Sequence, residues 1–364
     1  MNSSFMKKVV VLGTGGTIAG LKDDPKDPNS YQAGQVPVAD LVSKTTPVSQ
    51  FLLESRQIAQ IDSKDMSHAI WSQLLLAVEA CMQEREVIGV LITHGTDTME
   101  ETAYLLARLI KPTKPVVLTG AMKPFDAEEP DGPINMRDAL LVIQELSEAS
   151  ASCVCVVIHG VVHSPYKVQK LNLQNQSPFY SMPAPAQAAL DVRTPLGPMS
   201  EQARKLAIEL GGASVHKDSF NWGSPPALSA FASSQALPRV EIVMSHSSMG
   251  EHTVLHTLLA ELNHLKLNSS NPSWELKGLV LVGPGAGNLN QALYAPLVEL
   301  LKLGVRVVVT HRAPWGTGGR GIRVNFKQTA IGSEAQSEEV SVVLGVSELT
   351  PVKARIALML SLMA

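Results

Sequence analysis

What most constrains this chain is a recurring order: a short aliphatic run, a turn of glycine and hydroxyl-bearing residues, then a segment with apolar residues at helical spacing. Val9–Leu12 leads into the glycine-rich turn Gly13–Gly20, and Val87–Thr93 leads into His94-Gly95-Thr96-Asp97. A helix is predicted next over Met99–Ile110, with Met99, Ala103, Leu106 and Ile110 along one face. Pro112 and Pro115 stop it, and Val116–Leu118 resumes a strand. Aliphatic runs alternating with helical segments argue for parallel sheets with crossover helices. A strand, helix and strand of this length form one right-handed crossover.

The pattern continues with a strand over Val154–Ile158, ending at His159-Gly160. Ser181–Pro198 and Gly211–Pro226 are rich in proline, alanine, glycine and serine and read as loop and linker. Beyond Leu237, strands at Val240–Met244, Leu279–Val282 and Val305–Thr310 alternate with helices at His252–Leu265 and Leu289–Leu303, and a last helix spans Pro351–Met363. A chain of 364 residues suits two α/β domains, each with its own core. The expected division is a larger N-terminal domain over 1–198, mainly parallel sheet with flanking helices, a linker over 199–237, and a smaller parallel-sheet domain over 238–364.

Composition removes several function classes. A 45% hydrophobic and 17% charged chain is an ordinary globular protein. A formal charge of −3 with 4% aromatics provides neither the basic field nor the stacking surface of a nucleic-acid binder. No apolar run is long enough to span a membrane, so no membrane partner is expected. Cys81, Cys153 and Cys155 make no disulfide framework, and the segment Met1–Lys8 enters the first strand without a signal-peptide pattern. The expected compartment is the reducing cytoplasm.

Two glycine turns invite a nucleotide reading, and each weakens it. In Gly13-Thr14-Gly15-Gly16-Thr17-Ile18-Ala19-Gly20 a dinucleotide fingerprint requires glycine where Ile18 stands, and no phosphate-loop Gly-Lys-Ser/Thr follows. After Gly283-Pro284-Gly285-Ala286-Gly287 the next strand ends in Thr310-His311 rather than an acidic residue for a ribose. The plain alternative for the first turn is Thr14 or Thr17 as a cap. The turn at His94 likewise reads as a helix start, with Asp97 and Glu100, or Thr98 and Glu101, as a capping box. A cap leaves unexplained a Thr-Asp pair at the carboxyl edge of the sheet, where open α/β sheets bind ligands. Two hydroxyls, a carboxylate and backbone N–H groups converging there suit acyl transfer. His252 with His256 and His159 with His163 stand four apart, but lack the glutamate and cysteines of zinc sites; structural roles and no metal are expected.

Taken together, Thr14-Gly15-Gly16-Thr17-Ile18-Ala19 and His94-Gly95-Thr96-Asp97-Thr98-Met99-Glu100-Glu101 resemble the two signatures of the bacterial-type L-asparaginase family, in its cytoplasmic, type I-like form. Asp62-Ser63-Lys64-Asp65-Met66, Leu118-Thr119-Gly120-Ala121-Met122, Asp131-Gly132-Pro133 and Pro351-Val352-Lys353-Ala354-Arg355 resemble further landmarks in the family's order. The likeness covers nearly the whole chain and is strongest up to Pro198.

The resemblance implies hydrolysis of L-asparagine to L-aspartate and ammonia. Thr17 matches the nucleophile and Tyr31 the tyrosine that assists it; Thr96, Asp97 and Lys170 match a second polar triad. Ser63 matches a contact to the substrate carboxylate, Asp97 the partner of its ammonium, and Ala121 a backbone contact near its amide. Gly16 and Gly95 fall among the substrate-binding positions, their turns offering N–H groups to a developing oxyanion. A threonine hydroxyl needs a base within reach, and Lys170 serves if burial holds it partly neutral. Asn288 matches a residue that reaches a neighbouring subunit's site. Sites of this kind are completed by a second subunit, so a homodimer or homotetramer is implied, with no metal or organic cofactor. The glutamate donated across that boundary falls nearest to Glu334, with Glu338 and Glu339 as rivals.

Departures accompany the likeness. Lys64 stands where many relatives carry a glutamine that holds the substrate amino group, and a cation there repels an ammonium unless it points away. Ser245-His246-Ser247-Ser248 and the insertion Asn268–Glu275 are unlike typical relatives. The rival readings are a mixed glutaminase-asparaginase, the amidase subunit of a tRNA-dependent amidotransferase, a non-catalytic amino-acid sensor, and a nucleotide-dependent oxidoreductase. The amidotransferase subunit carries an extra N-terminal domain, whereas here the likeness starts within about the first ten residues. A sensor would need Ser63 and Asp97 but not Thr17, Tyr31 or Lys170.

Overall fold

The structure, a computed structural model, describes residues 6–24, 30–45, 51–173, 178–181, 222–268, 274–313, 322–329 and 337–364. The chain divides into two compact units: Met1–His216 with Leu228–Ser233, and Lys217–Ala227 with Ser234–Ala364.

In the first unit, β1 (Lys8–Gly15), β4 (Leu52–Ile61), β5 (Val87–Thr93), β6 (Val116–Thr119), β7 (Val154–Ile158) and β8 (Val161–His163) form one sheet in the order β4-β1-β5-β6-β7-β8. All neighbours are parallel except β7 and β8, which are antiparallel. The unit's described residues include the helices α1 (Val38–Lys44), α2 (His68–Gln83), α3 (Met99–Leu109), α4 (Gly132–Glu148) and the short α5 (Leu228–Ser233). Among the described residues there are also two small antiparallel pairs, β2 (Leu21–Lys22) with β3 (Tyr31–Gln32), and β9 (Val168–Lys170) with β10 (Phe179–Ser181).

The central strands carry near-continuous apolar runs, Val9–Leu12, Val90–Ile92, Val116–Leu118 and Val154–Ile158, because both faces are covered. Val9, Val11, Leu91, Val117, Cys155 and Val157 form one core with Leu41 of α1 and Met136, Leu140 and Ile143 of α4. Val10, Leu12, Val90, Ile92, Val116 and Leu118, equally buried, point to the opposite face, against which α2 packs. Full burial of each such side chain contributes about 1.5–3 kcal/mol. Trp71 of α2 donates from Nε1 to Thr102 Oγ1 of α3 at 3.0 Å, satisfying the indole inside that layer.

The strand order sets the position of the site. From β1 the chain moves outward to β4; from β5 it moves the other way, to β6. The loops leaving the carboxyl ends of β1 and β5 therefore diverge, and the crevice between them is the sheet's topological switch point. The first of those loops is the Gly-Thr turn and the second is His94–Asp97.

In the second unit, β11 (Arg239–Met244), β12 (Leu276–Gly283) and β13 (Arg306–His311) form a parallel sheet in that order. Helices α6 (Val254–Asn268) and α7 (Tyr294–Lys302) supply Leu255, Leu262, Leu297 and Leu300 to a core with Leu279, Leu281 and Val309, while α8 (Pro351–Ser361) packs on all three strands. β14 (Ile322–Thr329) and β15 (Ser337–Leu344) form an antiparallel hairpin. Among the described residues no helix is long and apolar enough to cross a membrane.

Two α/β units, with the larger parallel-dominated sheet first and a smaller parallel sheet second, are the expected fold class. Details differ from the sequence reading. The strand expected over Val9–Leu12 runs on to Gly15, and the helix expected from Leu289 starts at Tyr294, after a 3-10 turn that Asn290 opens by accepting the Ala292 N–H. The capping box at His94–Glu101 is absent: Thr98 occupies the N-cap position without a side-chain cap bond, because its hydroxyl is committed elsewhere. Nor do Thr14 or Thr17 cap the first turn, where Gly16 stands at the N-cap.

Candidate active site

The two signature turns touch through their glycines. Gly16 has φ +82°, and a Cβ added to it would lie 2.3 Å from Gly95 Cα and 2.4 Å from Gly95 N. A Cβ on Gly95 would lie 2.6 Å from Ser63 Oγ. Glycine is required at both places because the two backbones and the Ser63 side chain meet without room for a further β-carbon. Hydroxyls then lock the segments together: Thr14 Oγ1 donates to Thr93 O at 2.9 Å, joining the ends of β1 and β5, and Thr98 Oγ1 donates to Ser63 O at 2.7 Å.

Thr17 follows the contact on one side. It starts a 3-10 turn, is only 8% exposed, and its Oγ1 lies 2.8 Å from the Tyr31 hydroxyl. Tyr31 sits on β3, whose pairing with β2 (Lys22 opposite Tyr31) folds the residues after the turn back over it. Phe125 N–H donates to Gly20 O at 2.9 Å, tying this hairpin to the loop after β6.

Thr96 and Asp97 follow the contact on the other side. Lys170 Nζ donates to Thr96 Oγ1 at 2.9 Å and to Asp97 Oδ1 at 2.6 Å. The Lys170 side chain is 12% exposed and Asp97 58%, so the amine is inside and the carboxylate faces outward. Lys170 lies on β9, and its backbone N–H donates to the buried Glu100 carboxylate at 2.9 Å. The sequence reading assigned Glu100 to a cap; its work is to hold the strand that delivers Lys170. No spacing signal marks such a pair, because 70 residues separate its members.

Ser63 comes from the 3-10 turn after β4. It is 2% exposed, and its hydroxyl finds no hydrogen-bond partner among the described residues. Lys64, flagged for its charge, is exposed and held by Asp62 at 2.9 Å and Asp65 at 3.0 Å, which raise its pKa and offset its field. Ala121, fully buried, lies in the turn after β6. The Gly16 N–H is engaged: it donates to Ile61 O at 2.8 Å, so it is not the oxyanion donor the glycine turn suggested.

Other expected residues fall elsewhere. Asn288 belongs to the second unit, where its backbone N–H donates to Pro284 O at 3.0 Å. Glu334 lies outside the described residues, as do the linker positions 199–221 and most of the insertion after Asn268. The histidine pairs have structural partners. Thr253 N–H donates to His256 Nδ1 at 3.1 Å, His163 Nδ1 meets Ser181 Oγ at 2.9 Å, and His159 Nε2 meets Asp131 at 3.0 Å. Among the described residues no group of three or more His, Cys, Asp or Glu side chains is placed to hold a metal ion.

The site therefore presents a paired hydroxyl, an amine–hydroxyl–carboxylate set and an unpartnered serine hydroxyl around one glycine contact. Residues 8–196 match the family described as Asparaginase, N-terminal, and residues 239–364 the Glutaminase/Asparaginase C-terminal domain. The chain is 31% identical to the probable periplasmic L-asparaginase of Haemophilus influenzae, over 99% of this chain and 90% of that one. It is 27% identical to the glutaminase-asparaginase of Pseudomonas fluorescens, over 98% of this chain and 86% of the other. Among solved structures, a probable cytoplasmic L-asparaginase from Campylobacter jejuni superposes with a TM-score of 0.68 at 29% identity, covering 98% of this chain and 95% of that one. The chain belongs to the glutaminase/asparaginase family.

Proposed function

We propose that the chain is an L-asparaginase that hydrolyses L-asparagine to L-aspartate and ammonia with Thr17 as nucleophile. The observation that carries this is the seating of Gly16 on Gly95, which flanks one contact with the Thr17–Tyr31 pair on one side and the Thr96–Asp97–Lys170 set on the other. Thr17 Oγ1 attacks the side-chain amide carbon. Its proton passes along the 2.8 Å hydrogen bond to Tyr31, whose own proton goes to the departing nitrogen, so the C–O bond forms as ammonia leaves. Water, oriented by Thr96 with Lys170 as its proton partner, then cleaves the acyl ester and restores the threonine. Preorganised N–H donors at the oxyanion are worth about 3 kcal/mol each; the turn residues Thr17 and Gly95 supply them. Ser63 Oγ takes the substrate carboxylate, Asp97 its ammonium, and the Ala121 backbone its amide.

The catalytic domain is 1–198, joined by 199–237 to the domain 238–364, and the active form is a homodimer or homotetramer in which Asn288 and a glutamate, Glu334 nearest, reach a neighbouring copy's site. The cytoplasm is the assigned compartment, supported by three buried free cysteines and the likeness to the Campylobacter protein named as cytoplasmic. Likeness to a protein named glutaminase-asparaginase favours glutamine as a second substrate. The test is ammonia release from each amide by purified protein and by Thr17→Ala. The wild type turns over asparagine without added cofactor, and Thr17→Ala, still folded, loses on the order of 1,000-fold or more in kcat. Near-wild-type turnover in the variant moves the nucleophile elsewhere.

A further inference from the structure

Asp131 stands at the N-cap position of α4, yet its carboxylate makes no cap bond to that helix. It turns back instead to the loop after β6. Oδ2 accepts the Met122 N–H and Oδ1 the Lys123 N–H, both at 2.9 Å. Oδ2 also accepts from Asn135 Nδ2 at 3.2 Å and His159 Nε2 at 3.0 Å. Asn135, fully buried, donates from the same nitrogen to Gly120 O at 3.0 Å and accepts the His159 N–H at 2.9 Å. His159 holds φ +50°, a backbone region that a β-carbon disfavours and that these contacts sustain. Burial pushes the Asp131 carboxyl up, but the His159 contact and the two backbone N–H groups outweigh it and hold the pKa below the ordinary value.

The geometry has a specific consequence. A peptide unit is rigid and planar, so the Met122 N–H and the Ala121 carbonyl turn together, as do the Ala121 N–H and the Gly120 carbonyl. Asp131 fixes the first plane and Asn135 the second. Both planes flanking Ala121 are thus set by two side chains, Asp131 and Asn135, that lie outside the glycine contact and are tied together through His159.

We propose that Asp131, braced by Asn135 and His159, is a positioning residue for catalysis: it aims the Ala121 backbone at the substrate amide. This rests on the reading of Ala121 given above. A merely structural carboxylate would affect melting; a positioning one affects the chemical step of enzyme that remains folded.

The experiment compares Asp131→Asn, His159→Ala and His159→Gln with wild type and Thr17→Ala. Steady-state kinetics on L-asparagine are run well below each melting temperature, and amide hydrogen exchange of Met122 and Lys123 is measured in parallel. Asp131→Asn keeps one acceptor but sets an NH2 against the remaining donors. It is expected to lower kcat on the order of 10- to 100-fold, the cost of misplacement by about 1 Å, while KM changes little and both amides exchange faster. His159→Ala follows it more weakly, and His159→Gln, whose amide nitrogen replaces Nε2 as donor, recovers most of the loss. Folded Asp131→Asn with wild-type kcat, or a loss confined to KM, overturns the positioning role and leaves the asparaginase reading intact. Wild-type protein that releases no ammonia overturns both.

Discussion

Acidification should pull the first unit in two opposite directions, and single substitutions should separate them. His94, at the end of β5, is fully buried, and burial lowers its pKa from 6.5 to about 4, opposed only by the hydrogen bond to Gly95. Nδ1 lies 2.7 Å from the Gly95 carbonyl and must carry the hydrogen, so an added proton would go to Nε2, which is buried and has no partner among the described residues. The unfolded chain binds that proton below pH 6.5 and the folded chain does not, so stability falls as pH falls. Glu145 on α4 runs the other way: burial, helped by Glu148, raises it from 4.5 to about 7, so the folded chain takes its proton first and gains stability on acidification. From pH 7.5 to 5.0 the histidine removes about 2 kcal/mol and the glutamate restores about 2.5 kcal/mol. The two nearly cancel in the wild type. Urea denaturation followed by circular dichroism at both pH values should therefore show Glu145→Gln losing about 2 kcal/mol on acidification. His94→Asn, which keeps a donor near the Nδ1 position, should gain about 2.5 kcal/mol. Identical pH slopes in wild type and both variants would refute the linkage.

Two further expectations concern the site. Tyr31→Phe removes the partner of Thr17 at 2.8 Å and should lower kcat on the order of 100-fold or more with KM little changed, as read by ammonia release. Gly16→Ala places a methyl 2.3 Å from Gly95 Cα at φ +82°, so thermal melting should show a loss of at least about 2 kcal/mol together with lost turnover. A variant that keeps both stability and activity would mean the turns need not touch.

The sequence by itself determined the elements that obey a simple period. β5 and β7 lie where their aliphatic runs stand, and α3 differs from expectation by one residue at its end, because strands covered on both faces must be apolar throughout. β4 was not legible. It is an edge strand paired only with β1, so Glu54, Ser55, Arg56 and Gln57 are tolerated and no period appears. Short pairs such as β2 with β3 carry too few residues for a pattern, although the latter delivers Tyr31. The motifs identified Thr17, Thr96 and Asp97, but the bonds that organise them span 14 to 74 residues and exist only once β3 folds back to bring in Tyr31 and β9 delivers Lys170. Glu100, 70 residues from the Lys170 N–H it accepts, and Asp131 add two carboxylates whose work the sequence does not mark. Both stand at a helix start, yet each carboxylate accepts backbone N–H groups outside its own helix, Lys170 of β9 for Glu100 and Met122 and Lys123 of the Ala121 turn for Asp131. The reason is that N–H groups left out of a helix or strand ladder need an acceptor that only the folded chain brings to them.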